Sequence, residues 1–566
     1  MITIKKNLRT LFAFWVLVLT MTTAALGNDF SLFDNPWTVF ANVDADITIE
    51  SISDVIPTTF SGVNAFAKNY YFTNNLLDFT SLGLTPQNQS PAIICTYVYS
   101  NKNKKVTIGA GADSRMQVSV NGKTAYTTMK SGNGSPLIYY TDHIFDIDLK
   151  KGRNIIVIKV LGSNNGWKLC LGNPDDVRTA RKLEQENPFG FLRSVLAFYQ
   201  RDISEKPVPD PLLLPGGTRI ITKEQWEGEQ RERILSIYKE HIYGNFPTKF
   251  DDISFKVTSS DSAAVNSTAI KKVIEVTISN NGKSASFPLT LYIPHGATKF
   301  PVFLYIDRKD ISKGAVDVEN PSFPIKYGIQ QGFAMASFWR TGLAPDSKEE
   351  YNQKMMTLFP ELIDAPNGAK TIGMWAFGVM RSVDYLVGDS RIDSDRIAVI
   401  GMSRGGKTAI WAGVNDKRIS LVCDNASGEM GSAISRRLVG ENIADMKERF
   451  SHWFCDNFAT VSNTMDELDV DQNMFLSLIA PRSLAVGSRS FDIWADPEGQ
   501  YLGLMGTLPV YQLYGIPTID PKTSVKLGKP IMSQAISFHI NQGTHSLALK
   551  DWQTFFDHSN YLAKNQ

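Results

Sequence analysis

The sequence has few cysteines, almost no net charge and no apolar run long enough to form a typical membrane span. Its 566 residues include four cysteines, which could form two bridges but are too few for a disulfide scaffold. The 58 Lys and Arg residues nearly balance 57 Asp and Glu residues, leaving a net charge of +1. No strong field therefore attracts nucleic acid or an anionic membrane. Because 43% of the residues are hydrophobic and no low-complexity stretch is present, we expect a folded soluble protein of two to four units.

The first residues predict an export signal. Lys5, Lys6 and Arg9 precede the apolar stretch "LFAFWVLVLTMTTA", and "ALG" ending at Gly27 supplies small residues for a cleavage site. A transmembrane anchor is the alternative, but the strongly apolar part is only about ten residues long where a span needs about 20. We expect residues 1–27 to be a signal peptide and the protein to be periplasmic or secreted.

Residues 28–175 read as a β-domain. "KKVTIGAGADSRMQVSVNGKTAYTT" alternates apolar and polar residues around Asn121-Gly122, a strong hairpin signal, and further short strands follow. Regularly spaced strands without a helical pattern predict a β-sandwich. The motifs "GAD...VNGK" and "LKKGRN" resemble galactose-binding-like or PA14-like accessory modules. Both sugar binding and a structural or docking role stay open for this domain.

A linker is expected at residues 176–204, because the next stretch, "SEKPVPDPLLLPGG", is rich in Pro and Gly. Residues 205–566 then alternate strands and helices. "SFPLTLYIP", "FPVFLYID", "GFAMASFW" and "RIAVIG" read as strands, whereas "GMWAFGVMRSVDYLVGD" and "SRGGKTAIWAGV" read as helices. This order predicts an α/β fold with a mostly parallel sheet covered by helices on both faces.

The stretch "VIGMSRGGK" carries the strongest chemical signal. Ser403 follows a predicted strand and begins a helix, while Gly401 and Gly405 allow the sharp turn of a nucleophile elbow. A small residue in a tight turn is the alternative, but the strand, turn and helix together favour a nucleophile. The backbone N–H of Arg404 should belong to the oxyanion hole, and its guanidinium could reach the same oxygen.

A serine nucleophile needs a base and an acid further along the chain. Among three C-terminal histidines, His539 alternates within an apolar strand and His558 lies in the final helix as solvated surface, whereas His545 follows the last strand and is the expected base. After the next-to-last strand, "FDIWADPEG" supplies Asp492, the favoured acid, and Asp496, the alternative acid, which precedes a proline and could cap the following turn.

Several motifs together resemble a known family. "TKEQW...ERI...YG.FP", "MWAFGVMRSVDYL", "GMSRGGKTAIWAGV", "HWFCDNF", "DVDQNMFLSLIAPRSL" and "DIWADPEG" are similar, in this order, to the glucuronoyl esterases of carbohydrate esterase family 15 and their bacterial relatives. The likeness covers about residues 210–550. It implies an α/β-hydrolase, built as a three-layer sandwich, that cleaves uronic acid esters such as those joining glucuronic acid on xylan to lignin alcohols, without a metal or other cofactor.

The resemblance also assigns residues by position. It matches Ser403 to the nucleophile, Arg404 to the oxyanion arginine and His545 to the base. It matches three further residues to sugar contacts: Lys407, Glu441 and Trp494. Lys407 lies one helical turn beyond Ser403 and can face the same pocket, and an aromatic face suits a pyranose ring. The alternatives are a solvated lysine, a salt-bridged glutamate and a core tryptophan. Arg436 and Arg437 are weaker candidates, since either could pair with an acidic neighbour.

Three positions depart from the family pattern. Fungal members carry the acid as a glutamate where this chain has Ala426, which favours the later Asp492, with Glu429 a distant third choice. Met402 replaces the cysteine that precedes the serine in fungal members, so their bridge beside the active site cannot form. Asn473 stands where relatives often have a histidine, which puts one pocket contact in doubt.

The sequence thus predicts a serine carboxylic-ester hydrolase acting on a uronic-acid-bearing oligo- or polysaccharide through a Ser-His-Asp triad. We expect a monomer. The alternatives are an acetyl-xylan esterase or a pectin-type methylesterase acting on galacturonate, because one triad serves all three reactions. A peptidase of the same fold is a remoter alternative. A catalytically inactive carbohydrate-binding protein is the alternative from a different functional class.

Overall fold

The computed structural model describes residues 30–41, 43–60, 66–72, 74–85, 91–134, 137–162 and 166–565. The expected signal peptide, residues 1–27, lies outside these ranges. The chain divides into two units, Met1–Arg181 and Lys182–Gln566. Each unit has its own hydrophobic core. No helix in the described ranges is both long and apolar enough to cross a membrane.

The first unit contains two antiparallel sheets. One has the strand order β2-β1-β4-β9-β6-β7 and the other the order β3-β10-β5-β8. The strands are β1 Trp37–Ala41, β2 Phe66–Tyr70, β3 Leu76–Asp78, β4 Ala92–Ser100, β5 Lys104–Ala112, β6 Arg115–Val120, β7 Lys123–Thr127, β8 His143–Leu149, β9 Gly152–Leu161 and β10 Lys168–Gly172. Alternate apolar side chains of both sheets, such as Ile94 and Ile158 from one and Ile108 and Ile147 from the other, share one core. The predicted β-sandwich is therefore confirmed.

The predicted hairpin lies between β6 and β7. Asn121 and Gly122 both have positive φ, 50° and 77°, the backbone that a two-residue type I′ turn requires. The strands pair from Val120 with Lys123 outward. The Asn-Gly signal therefore marked this turn correctly.

The linker region differs from the expectation. Residues 176–204 were expected to form a linker, yet they hold most of the helix Pro174–Glu186 and all of the helix Pro188–Phe198. Asn187 caps the second helix by accepting a hydrogen bond from the Gly190 N–H, and Pro188 occupies its first turn. The apolar side chains of Phe191, Leu192 and Val195 are buried, so burial of one face stabilises this helix. The Pro-rich stretch "SEKPVPDPLLLPGG" lies after this helix in the chain.

A ten-stranded sheet forms the centre of the second unit, in the order β11-β12-β13-β15-β14-β16-β17-β18-β20-β19. Its strands are β11 Asp252–Ala263, β12 Ala269–Asn280, β13 Lys283–Pro294, β14 Phe300–Asp307, β15 Ala334–Trp339, β16 Ile392–Met402, β17 Leu421–Asn425, β18 Ser483–Arg489, β19 Ile531–Met532 and β20 Ile536–Asn541. The six strands from β15 to β20 in this order pair in parallel, and the flanking strands are antiparallel. This mostly parallel sheet confirms the predicted topology.

Helices cover both faces of the sheet. Beyond residue 220, those of six or more residues are Ile325–Gln330, Thr371–Gly388, Arg404–Asn415, Ile443–Phe450, Gln472–Ser477, Pro497–Met505, Leu508–Leu513 and Leu549–Lys564, together with Arg231–His241, which continues from Lys223–Gln225 through the π-helical turn Trp226–Gln230. Leu304 of β14 packs with Trp375 and Trp411 on one face, whereas Phe303 packs with Phe556 on the other. Both faces of the parallel strands are thus buried, which explains their nearly continuous apolar sequences.

His558 and the four cysteines are all buried. His558 was expected on a solvated surface, and this is wrong: it is 0% exposed. Its Nε2 atom lies 3.1 Å from the Ser533 carbonyl oxygen and 3.2 Å from Ser483 Oγ. It follows Phe555 by three residues, so it shares the buried face of the last helix. The four cysteines, Cys95, Cys170, Cys423 and Cys455, are all free and buried.

Candidate active site

Ser403 lies on a sharp turn between β16 and the helix Arg404–Asn415. Its φ of 57° and ψ of −126° are a strained backbone for a residue with a side chain, of a kind concentrated at functional sites. A Cβ atom at Gly401 would lie 1.9 Å from the Gly405 carbonyl oxygen, so a larger residue there would push the strand and helix apart. The Ser403 N–H donates to the Asn425 carbonyl oxygen at 2.9 Å, which ties the turn to the neighbouring β17.

Gly406 also fits this elbow tightly, although the motif did not single it out. A Cβ atom at Gly406 would lie 2.2 Å from Asp424 Oδ1 and 3.0 Å from the Ser427 side chain. The second glycine of "RGGK" therefore lets the helix approach β17. At Gly405 the nearest atom would be the end of the Arg340 side chain, at 3.2 Å, which leaves more room.

His545 and Asp492 come together at the same edge of the sheet. Asp492 follows β18 and His545 follows β20, and the carboxyl ends of these parallel strands point to the same edge of the sheet as that of β16, with β17 between β16 and β18. The His545 Nδ1 atom lies 2.7 Å from Asp492 Oδ2. The Asp492 side chain is 1% exposed, whereas that of His545 is 34% exposed. A buried carboxylate thus holds a histidine whose other nitrogen remains accessible.

A cavity of about 880 Å³ contains Ser403, Arg404 and His545 in its wall. Arg340, Asp346 and several residues between positions 305 and 323 are among its other lining residues. Its volume falls within the range of small-molecule sites, about 300–1,000 Å³. The serine and the histidine therefore face one cavity, which three arginines also line.

Asp346 holds the guanidinium of Arg404. Arg404 Nη1 donates to Asp346 Oδ2 at 2.6 Å, and its guanidinium lies 4.4 Å from the centre of the Trp453 ring. Trp453 Nε1 donates to Asp346 Oδ1 at 2.7 Å, and His452 Nε2 lies 3.0 Å from the same oxygen. Burial opposes ionisation of Asp346, but the bond with His452 and the charge of Arg404 outweigh it and hold its pKa below the usual range.

Sequence reasoning missed this support. The motif "HWFCDNF" contains His452 and Trp453, but no role for either followed from the motif, and Asp346 lies in a loop without a motif. Arg340 was also missed. Its guanidinium lies 4.9 Å from the centre of the Trp375 ring, and burial followed by repulsion from Arg404 lowers its pKa to about 10.

Lys407 and Glu441, two of the expected sugar contacts, form a buried pair. Lys407 is 1% exposed and donates to the Ser427 carbonyl oxygen at 2.8 Å and to Glu441 Oε2 at 3.3 Å. Its Nζ atom lies 5.5 Å from the centre of the Trp453 ring, the ring that Arg404 also contacts. Neither Lys407 nor Glu441 lines the cavity that contains Ser403.

Trp494, the third expected sugar contact, is partly exposed. Its carbonyl oxygen accepts a hydrogen bond from the Glu441 N–H at 2.9 Å, so these two candidates are neighbours. The guanidinium of Arg449 lies 5.3 Å from the centre of the Trp494 ring. Arg449 was not singled out from the sequence.

The remaining candidates have structural partners. Asp496, the alternative acid, accepts from Arg437 Nε at 2.8 Å and is not paired with His545. Arg436 pairs with Asp471 at 2.9 Å. Asn473 donates to the Pro209 carbonyl oxygen at 2.7 Å.

Glu429, the third choice for the acid, points elsewhere. Its Oε1 atom accepts hydrogen bonds from Ser435 Oγ and the Met430 N–H. Burial, aided by the nearby Asp471 carboxylate, raises the pKa of Glu429 to about 8.

Comparison with known proteins agrees with this geometry. Residues 276–515 match a family model described as glucuronyl esterase, fungi. Carbohydrate esterase MZ0003, from an unknown prokaryotic organism, is 28% identical over 64% of this chain and 91% of its own length. A 4-O-methyl-glucuronoyl methylesterase of Thermothelomyces thermophilus is 27% identical over 56% of this chain and 74% of its own.

A solved structure also has a similar fold. The glucuronoyl esterase from Solibacter usitatus is 28% identical, covers 64% of this chain and 98% of its own, and has a TM-score of 0.60. The parallel sheet, the elbow at Ser403 and these likenesses lead to one assignment. The Ser403-bearing region of this chain has the α/β-hydrolase fold and is similar to glucuronoyl esterase domains.

Proposed function

We propose that this chain is a serine esterase that hydrolyses uronic acid esters on plant polysaccharide. One observation carries the proposal: Ser403 on its strained turn and His545, which is paired with the buried Asp492, line a single cavity. The names of the relatives support the substrate class, since they include a glucuronoyl esterase and a 4-O-methyl-glucuronoyl methylesterase. The polysaccharide would be met outside the cytoplasm, in keeping with the predicted signal peptide, and the chain would act as a monomer.

The reaction is a two-step acyl transfer. Asp492 accepts the Nδ1–H of His545, which leaves Nε2 unprotonated and able to accept the Ser403 hydroxyl proton. Ser403 Oγ then attacks the ester carbonyl carbon and forms an acyl-enzyme, while the His545 cation returns the proton to the leaving alcohol. Water, deprotonated by His545, attacks the acyl-enzyme and releases the uronate and the serine.

Arg404 and the start of its helix stabilise the oxyanion. The first N–H groups of a helix have no intrahelical acceptor, and the helix dipole favours negative charge there. The guanidinium of Arg404 is held by Asp346 and stacked on Trp453, so little reorganisation is needed when charge develops on the carbonyl oxygen.

Sugar recognition is assigned to Trp494, Lys407 and Glu441. Trp494 offers a partly exposed aromatic face for a pyranose ring, and Arg449 must shift from that face when the sugar binds. Lys407 and Glu441 already pair with each other, so they would fix the position of the Trp494 loop and offer hydrogen bonds to sugar hydroxyls.

Four substrates assayed side by side test the proposal: benzyl glucuronate, methyl glucuronate, methyl galacturonate and acetylated xylan. We expect the glucuronate esters to be hydrolysed fastest, and Ser403→Ala to lose at least about 10³-fold in kcat. The exposed Ser524 supplies a matched control, because Ser524→Ala makes the same change away from the cavity.

Three results would contradict the proposal. Release of acetate alone would identify an acetyl-xylan esterase, and preference for methyl galacturonate a pectin-type methylesterase. If a serine-reactive phosphonate failed to label the wild-type protein, it would be a carbohydrate-binding protein without esterase activity.

A further inference from the structure

The β-sandwich contains a cavity of its own, of about 510 Å³. It lies against β5, and residues of β8 and of the helix beginning at Pro174 complete it. The lining residues are Phe30, Lys104, Lys105, Val106, Thr107, Ile144, Pro174, Val177, Arg178 and Arg181. All of them belong to the first unit. Like the catalytic cavity, its volume suits a small ligand.

Four of these lining residues are cationic and none is acidic. Lys105 is exposed and Lys104 partly exposed, and within the described ranges neither forms a salt bridge. Arg178 pairs with Asp175, and Arg181 Nη2 donates to the Thr141 carbonyl oxygen at 2.6 Å. The wall is therefore positively charged, with two lysines available to an anion.

Two aspartates of β8 lie near this wall. Asp146, which lies opposite Thr107 on β8, accepts a hydrogen bond from the Thr107 hydroxyl at 2.6 Å. Asp148 lies opposite Lys105 in the strand register, but it does not line the cavity. Neither carboxylate is therefore among the residues that line the cavity.

The other half of the lining is apolar. Phe30, Val106 and Val177 are buried and form a packed floor, and Ile144 and Pro174 extend it. Lys104 Nζ lies 6.0 Å from the centre of the Phe30 ring. A ligand that fits both halves needs one apolar face and a negative charge.

We propose that this cavity binds a uronate residue of an acidic glycan in its free carboxylate form. A uronate pyranose has a C–H face that can pack on the apolar floor and a carboxylate that lysine and arginine can bind by charge-assisted hydrogen bonds. The choice of uronate among anions rests on the proposed function, because the esterase releases this group on its polysaccharide. The β-sandwich would thus bind glycan that no longer carries the ester at that sugar.

Calorimetric titration of the full chain with a xylo-oligosaccharide bearing one free glucuronate tests the proposal. The Ser403→Ala protein is used alongside wild type. We expect Lys104→Gln/Lys105→Gln to weaken binding by about tenfold or more, with added salt weakening wild-type binding as well. Glutamine keeps most of the side-chain length while removing the charge. Arg178→Gln is the second variant, and it should weaken binding in the same direction.

The matched control is Lys123→Gln/Lys130→Gln, which removes two exposed charges from the same unit outside the cavity and should bind as wild type does. Equal binding by the Lys104/Lys105 variant and wild type would overturn the proposal and assign the binding to the catalytic cavity. Equal binding of the uronate-free oligosaccharide would also overturn it. Hydrolysis of methyl glucuronate by each protein is measured in parallel, so that the esterase proposal and the binding proposal are tested separately. Normal hydrolysis without lysine-dependent binding would refute only the binding site in the β-sandwich.

Discussion

Asp492 and Asp496 lie four residues apart on the same loop, yet they have opposite surroundings. Asp492 contacts His545, whose side chain is one-third exposed at the catalytic cavity. Asp496 contacts Arg437, which also pairs with Glu498 at 3.0 Å, and all three are buried. We call the three residues Arg437, Asp496 and Glu498 the buried charge cluster.

The surroundings of the two carboxylates suit two different roles: orientation of a catalytic histidine at Asp492 and a structural ion pair at Asp496. A histidine that exchanges protons needs access to substrate and water, whereas the carboxylate that orients it can be fully buried, as Asp492 is. A buried structural ion pair does not exchange protons with substrate or water. Removing one partner leaves an uncompensated charge in a medium of low dielectric constant. The same residue type on one loop therefore serves two purposes, and substitutions at the two positions should fail in different ways.

The largest effect is expected at Asp492. Asp492→Asn keeps the shape of the side chain but no longer stabilises the His545 cation or its tautomer, so kcat should fall about 10³- to 10⁴-fold. Thermal unfolding should change little. Steady-state kinetics on methyl glucuronate measure the loss, and near-wild-type kcat would remove Asp492 from the proposed triad.

Asp496→Asn should instead lower stability. It leaves Arg437 paired only with Glu498, and we expect a loss of about 3 kcal/mol in the free energy of unfolding. The kcat of the protein that remains folded should stay within a few fold of wild type. Urea unfolding measures the loss, with Asp395→Asn, at an exposed aspartate, as the control. Unchanged stability together with lost kcat would exchange the roles of the two aspartates.

Asp346→Asn tests the support of Arg404. The amide cannot form the ion pair with Arg404 Nη1, so the guanidinium becomes mobile and kcat should fall about 10- to 100-fold with a smaller change in KM. The measurement is kcat and KM on methyl glucuronate. A pure rise in KM would show that Arg404 binds substrate without stabilising the oxyanion.

The smallest effect is expected at Glu429 and depends on pH. Its pKa is raised to about 8 in the folded protein, so the folded state holds a proton that the unfolded state loses near pH 4. This contribution to stability is complete below that value and is lost as the pH rises toward 8. Glu429→Gln should flatten the fall in Tm between pH 5 and 9 by a few degrees. An identical pH dependence in both proteins would mean that Glu429 is ionised when buried.

Local sequence signals were most reliable where chemistry is local. The Asn121-Gly122 turn, the alternation of apolar residues in β5 and the glycines around Ser403 each require a particular backbone, so the chain itself carries the information. The same signals gave a wrong prediction for His558, which is buried, and for residues 176–204, which are largely helical. In both cases burial against elements distant in the sequence determined the structure. The His545–Asp492 contact joins residues 53 positions apart, and chain order suggested it only through the α/β-hydrolase pattern.

The sequence by itself determined the two fold classes, the elbow at Ser403 and the short set of residues able to complete its chemistry. Only the tertiary structure paired Asp492 and not Asp496 with His545, placed Asp346 against Arg404 and gathered four cations around one cavity of the β-sandwich. The physical reason is that backbone conformation depends on neighbours in the chain, whereas the environment of a charge depends on the residues that folding brings around it.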